Sequence, residues 1–150
     1  DSNKNVSLKS DKILLELIIS NLISNSIKYG RYGGIIEITL TDHGEYFSIE
    51  ICDDGIGIPK EELGKIFTQF FRASNIDKLI HEGSGMGLAV VKEIVEKLGG
   101  SIKVGSPSRL ALDEKPGSTF EVSIPYRHKP IKYDIFEVNN DEYLDKRSNS

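Results

Sequence analysis

The chain has no tryptophan, one cysteine, one methionine and five prolines in 150 residues. The lone Cys52 excludes an intrachain disulfide framework, and no group of Cys and His has zinc spacing, so nothing points to an oxidising compartment and the default setting is cytoplasmic. Positive charge is also in deficit: 19 Lys+Arg against 23 Asp+Glu leave a formal net charge of −4. Without a long basic run there is no footprint for non-specific duplex binding, which needs many cations to displace phosphate counterions; local anion binding stays open. Long apolar runs are missing too. The best candidate, Ile13 to Ile27, is broken by Glu16, Ser20, Asn21, Ser24 and Asn25 and falls short of the ~20 apolar residues of a membrane span. The opening DSNKNVSLKSD has no initiator Met, basic n-region or apolar h-region, so it is not read as a signal peptide; it is expected to be a cut made inside a longer gene.

A chain of this length is expected to form one domain burying roughly 68–70% of its unfolded surface. From Asp11 to Tyr29 the pattern predicts a helix, with an N-cap at Ser10 or Asp11, no internal Gly or Pro, and a stop at Gly30. Apolar side chains wind almost all the way round it, as in a helix packed on more than one side. Two polar stripes interrupt them: Glu16, Ser20 and Ser24, and Asn21, Asn25 and Lys28, the latter within about 60° of arc. Two alternating, β-branched runs, from Ile35 to Leu40 and from Tyr46 to Cys52, flank turn chemistry and predict a hairpin. A short helix is expected from Lys60 toward Phe67, then an irregular polar stretch to Gly83. Leu88, Val91, Val95 and Leu98 predict a second long helix that ends at Gly99-Gly100, followed by strands over Ser101–Ser106 and Ser118–Ile124. Residues 127–150 are charged and polar with scattered apolar positions and are expected to be a partly disordered tail.

Three patterns carry chemistry. Gly83-Ser84-Gly85-Met86-Gly87 opens the Leu88 helix, where glycines permit close approach and a helix N-terminus offers unpaired N–H groups and a positive dipole end to an anion. The same pattern also suits a plain tight connection, and neither a dinucleotide G-x-G-x-x-G nor a P-loop is present. Asp53-Asp54-Gly55-Ile56-Gly57-Ile58 sets a carboxylate and a glycine pair at a strand end, which fits either a turn or the rim of a pocket holding a flat ring and its amine. Asn21 and Asn25 on an otherwise apolar helix need partners, either nearby backbone or a polar ligand or metal shell.

In order, N-L-I-S-N-S-I-K-Y (Asn21 to Tyr29), D-D-G-I-G-I (Asp53 to Ile58), I-F-T-Q-F-F-R (Ile66 to Arg72), G-S-G-M-G-L (Gly83 to Leu88) and G-S-T-F (Gly117 to Phe120) resemble the asparagine, first glycine, phenylalanine, second glycine and third glycine boxes of sensor histidine kinases. These boxes belong to the catalytic, ATP-binding domain of the GHKL superfamily, and the resemblance covers about residues 6 to 126. It implies an α+β fold of the Bergerat type, a two-layer sandwich in which three helices cover one face of a mixed, mostly antiparallel sheet, with an ATP lid over about 72–83. The domain is assigned to 1–126.

By the same resemblance, Asn25 matches the Mg²⁺-binding asparagine, a hard amide oxygen suited to a metal that also takes phosphate oxygens and water. Asn21 lies beside it, Lys28 would reach the phosphates, and Tyr29 would line the pocket. Asp53 matches the carboxylate that accepts the adenine amine, with Gly55, Gly57 and Ile58 giving close approach and an apolar floor and Thr119 helping the adenine end. Arg72 matches an arginine that meets the γ-phosphate. Gly83, Gly85, Met86, Gly87 and Leu88 match the phosphate-proximal box, Met86 replacing the usual Leu. Phe67 and Phe70 are expected to anchor the base of the lid. In ATP-hydrolysing relatives a Glu sits at the position of Asn21, so hydrolysis is expected to be slow here.

The function implied is that of a histidine kinase catalytic domain using ATP and Mg²⁺ to phosphorylate a histidine on a dimerisation and phosphoacceptor domain, with a response regulator as downstream partner. None of His43, His81 and His128 opens a phosphoacceptor helix. The chain is therefore expected to be monomeric and unable to phosphorylate itself, within a protein that is homodimeric and anchored, if at all, by upstream segments. The other readings are a GHKL ATPase fragment and a degenerate nucleotide- or protein-binding module.

Overall fold

The computed structural model describes residues 12–76, 84–112 and 115–126. The uninterrupted run after Asp11 forms helix α1, Lys12–Tyr29, and the chain breaks from it at Gly30. Ile18, Leu22 and Ser26, one turn apart, form its fully buried seam, and Leu14, Leu15, Ile19 and Ile23 pack against the core from either side. The hairpin forms β1, Ile36–Asp42, and β2, Tyr46–Asp53. Helix α2 spans Gly87–Lys97, and its buried Val91, Ile94 and Val95 continue into Leu98. It closes at Gly99, whose φ of +74° lets the N–H groups of Gly99 and Gly100 return to the carbonyls of Glu96 and Val95. Strands β3, Ser101–Gly105, and β4, Thr119–Pro125, follow.

The sheet runs β1-β2-β4-β3, and every pairing among the described residues is antiparallel. Register decides what each face carries. Phe47, Ile49 and Ile51 of β2 stand opposite Ile124, Val122 and Phe120 of β4, and all six are buried on the face that α1 and α2 cover. On the opposite face Arg109 joins Glu37 of β1, at 3.2 Å, to Glu50 of β2. This is the two-layer α+β sandwich that the sequence implies.

One element differs. The short helix expected from Lys60 is a single 3₁₀ turn, Lys60–Glu62, and two long helices rather than three form the helical layer of the described residues. Gly64 lowers helix propensity there, and the bonds from Lys65 N–H to Glu62 and from Thr68 N–H to Lys65 are the i→i+3 kind that keeps the chain in tight turns. Among the described residues no helix is long and apolar enough to cross a membrane. The tail from residue 127, the N-cap at Ser10 or Asp11, and His81 and His128 lie outside the described residues.

Candidate nucleotide site

The pairing of β2 with β4 brings Asp53 beside Ser118, 65 positions later, and there the sheet, α1 and the segment before α2 enclose a cleft of about 370 Å³. Its floor is Asp53, which is 3% exposed. Oδ1 accepts the N–H groups of Gly55 at 3.0 Å and Ser118 at 3.2 Å; Oδ2 accepts the Ser118 hydroxyl at 2.6 Å and, at 3.4 Å, that of buried Ser26 on α1. Four donors from three elements hold one carboxylate without a cation among them; the long Ser26 contact is the weakest and leaves Oδ2 the oxygen with most capacity for a further donor. Ile58, Ile66, Phe71, Ile76 and Phe120 make the walls around it apolar.

The rest of the lining is largely polar. Asn21, Ser24, Asn25 and Lys28 come from α1, Lys28 Nζ lying 5.0 Å from the centre of the Tyr29 ring, and Arg72, Ser84, Gly85 and Gly87 come from the segments that precede and open α2. Asn21 donates to the Leu17 carbonyl at 2.8 Å, one turn back on its own helix. Gly87 lies so close to Asn21 Oδ1 that a Cβ would sit at 2.7 Å. Gly85 has φ +71°, and a side chain there would press on the Phe70 backbone, so the turn into α2 is open to glycine and little else. Lys28, Arg72 and the residues that open α2 thus line one cleft, an arrangement suited to a polyanion.

Behind the cleft, buried Asp54 pairs with Arg31 at 2.8 Å and ties the turn after α1 to the end of β2. The Arg31 guanidinium holds the Asp54 carboxyl below the usual carboxylate value, against the opposing effect of burial. Ile56 N–H reaches the Tyr29 carbonyl at 3.1 Å, and a Cβ at Gly55 would overlap that same oxygen.

Of the residues singled out in the sequence, Asn21, Asn25, Lys28, Tyr29, Asp53, Gly57, Ile58, Arg72, Gly85, Gly87 and Leu88 line the cleft. Gly55 lies behind it, Met86 is 37% exposed outside the lining, and Gly83 lies outside the described residues. Thr119 is turned away. It is the first residue of β4, where side chains alternate, and it projects to the face opposite Phe120, where its hydroxyl meets Cys52 Sγ at 3.4 Å. The residue of this segment that meets Asp53 is Ser118, which the motif G-S-T-F contains but does not single out until β4 is registered against β2. Ser26 also escapes the sequence reading, since a serine on an apolar helix gives no sign of the carboxylate it will meet. Phe70 differs as well. It has φ +64° and is 68% exposed, and its neighbour Phe71 takes the place against the core.

The described residues contain no group of three or more His, Cys, Asp or Glu suited to hold a metal. A magnesium ion that arrives on phosphate oxygens needs only one or two protein oxygens, and Asn25 on the polar wall provides such a donor.

Residues 10–128 match the family of histidine kinase-, DNA gyrase B- and HSP90-like ATPases. The sensor histidine kinase Hik2 of Synechocystis sp. is 36% identical over 118 residues, which are 74% of this chain and 27% of that protein. The solved structure of the mycobacterial sensor histidine kinase MprB superposes with a TM-score of 0.71 at 29% identity, covering 83% of this chain and 78% of that one. The catalytic domain of the histidine kinase ThkA gives 0.66 at 26% identity, covering 83% and 76%. The chain spans 8 to 29% of the curated relatives it matches in this way.

Proposed function

The chain belongs to the family of histidine kinase-, DNA gyrase B- and HSP90-like ATPases, and on that premise we propose that it is the catalytic domain of a sensor histidine kinase, binding Mg·ATP and presenting the γ-phosphate to a histidine on another domain. The observation that carries this reading is that one cleft joins a buried carboxylate and apolar walls to Asn25, Lys28, Arg72 and the start of α2. A flat ring bearing an exocyclic amine suits the first, and a triphosphate suits the second.

Asp53 accepts the base amine while Ser118, Gly55 and Ser26 hold it in place. Ile58, Ile66 and Phe120 exclude water from the ring. Lys28 and Arg72 hold the phosphate chain and offset charge that builds on the transferred group, so the domain contributes by positioning and electrostatics. A magnesium ion, when bound through the Asn25 amide oxygen, would neutralise phosphate charge. Asn21 has no carboxylate with which to activate water, which favours transfer over hydrolysis. The acceptor histidine belongs to a dimerisation and phosphoacceptor domain, and a response regulator receives the phosphate in turn.

Calorimetric titration with a non-hydrolysable ATP analogue, with and without Mg²⁺, tests this reading. Binding is expected for the wild type, weakened roughly 10- to 100-fold by Asp53→Ala through loss of a hydrogen bond to a charged group. Asn25→Ala is expected to remove most of the Mg²⁺ dependence. Binding indifferent to both substitutions would sink the assignment. Labelled ATP with the acceptor domain added in trans then reads transfer directly, and the chain alone is expected to remain unlabelled.

A further inference from the structure

The cleft has a wall that none of the motif residues builds. After Arg72 the chain turns, with Ile76 N–H returning to the Ala73 carbonyl at 3.2 Å, and Ala73 and Ile76 both line the cleft. Two side-chain contacts hold this turn against the body of the domain. The backbone N–H of Ser74 donates to Glu62 of the 3₁₀ turn at 2.9 Å. The Asn75 amide nitrogen donates to the carbonyl of Gly57 at 3.0 Å and to that of Ile56 at 3.3 Å. Ile56 and Gly57 themselves line the cleft beside Asp53. On their far side the same loop is pinned by Ser106, whose hydroxyl accepts the Ile58 N–H at 3.2 Å and donates to the Gly117 carbonyl at 2.7 Å. The loop that forms the rim of the apolar slot is therefore fixed to the sheet on one side and clasped by Asn75 on the other.

We propose that Asn75 is a positioning residue for the nucleobase: it clasps the 72–76 turn to the Ile56-Gly57 rim and so holds Ala73 and Ile76 across the slot. This rests on the nucleotide-site reading above and adds the residue that closes the slot. The physical reason is directional. Both acceptors are backbone carbonyls of consecutive residues, and one amide group meets them together, so the turn has a single seating on the rim. Aspartate has the same shape but presents only oxygens to those carbonyls and would be repelled. The clasp leaves the cleft open at about 370 Å³, so it is a contact for the bound state to keep. Its loss is read in how fast nucleotide leaves.

The test uses this chain with a fluorescent N-methylanthraniloyl ADP for dissociation rates, and unlabelled ADP and adenosine as competitors. Asn75→Ala and Asn75→Asp are expected to raise the dissociation rate roughly five- to tenfold, the association rate changing less. ADP and adenosine should weaken by the same factor, because the clasp acts on the base end; Lys28→Met, acting on phosphate, should weaken ADP alone. Asn75→Gln, which keeps the donor, should recover part of the loss. Glu62→Gln, which weakens the other tether without touching the rim, should move the rate in the same direction by less. An unchanged dissociation rate in Asn75→Ala at wild-type melting temperature overturns the proposal, as does a loss seen with ADP and absent with adenosine. If the wild type binds no labelled ADP, the functional reading itself fails; if it binds and Asn75→Ala is indistinguishable, only the clasp does.

Discussion

Asp53 takes four hydrogen bonds, and their lengths rank them. The Ser118 hydroxyl at 2.6 Å is the short, charge-assisted one, and the Ser26 hydroxyl at 3.4 Å is the weak one. Ser118→Ala should therefore cost about 2 kcal/mol of stability, the range for a hydrogen bond to a charged group, and lower adenine-nucleotide affinity about tenfold as Asp53 loses its orientation. Thermal melts and calorimetry check the two effects separately. Thr119→Val, one residue on, removes a hydroxyl that faces Cys52 on the other side of the sheet and should leave affinity within about twofold. The contrast is sharp because the two residues share one motif. Residue types at the site were legible in the sequence: the carboxylate, the asparagines, Lys28, Gly57, Gly85 and Gly87 fall on the cleft. Which of two adjacent hydroxyls faces the carboxylate was not, because that choice belongs to the pairing of β4 with β2.

At the scale of elements, α1 has two duties that its sequence superimposes. Its seam, Ile18 and Leu22, is buried against the core, while Asn21, Asn25 and Lys28 face the cleft. Leu22→Ala should destabilise the domain by about 2–5 kcal/mol, the usual cost of emptying a fully buried leucine site, measurable by urea denaturation. The turn after α1 is held by Arg31 and Asp54, and this pair has a pH signature. The Asp54 pKa is lowered in the folded state, first by Arg31, so the folded protein binds its proton less readily than the unfolded chain. Its contribution to stability is present above the unfolded value of about 3.9 and is lost as pH falls through the folded one. Arg31→Met should lower the melting temperature at pH 7, and the gap to wild type should shrink as pH drops below about 4. The long helices and the strands were legible because their apolar periods run for many residues. The stretch from Lys60 to Phe71 was not, since Gly64 and the left-handed Phe70 set its path through local backbone geometry that leaves no period.

The whole molecule is acidic, and the ligand proposed for it is a polyanion. Net charge of −4 would repel a nucleotide at long range, while Lys28, Arg72 and the N-terminus of α2 attract it at short range. Salt distinguishes the two. At 0.1 M the screening length is about 10 Å, so added salt weakens both, and the sign of the change reports which dominates binding. The acidic groups are dispersed: Glu93 and Glu96 are paired with Lys97 and Lys92 along α2, Glu37 and Glu50 with Arg109 on the outer face, and Asp54 with Arg31 behind the cleft. Asp53, the carboxylate in the cleft, is held by hydroxyl and N–H donors and is assigned to the base in the proposed reading. The cations of the cleft should therefore govern the response. Raising salt from 50 to about 300 mM should weaken ADP severalfold and leave adenosine nearly unchanged, and Lys28→Met should flatten the ADP response. Calorimetry on both ligands at two salt concentrations measures this. A rise in ADP affinity with salt would mean that global repulsion, rather than the local cation compartment, sets the phosphate end of the site.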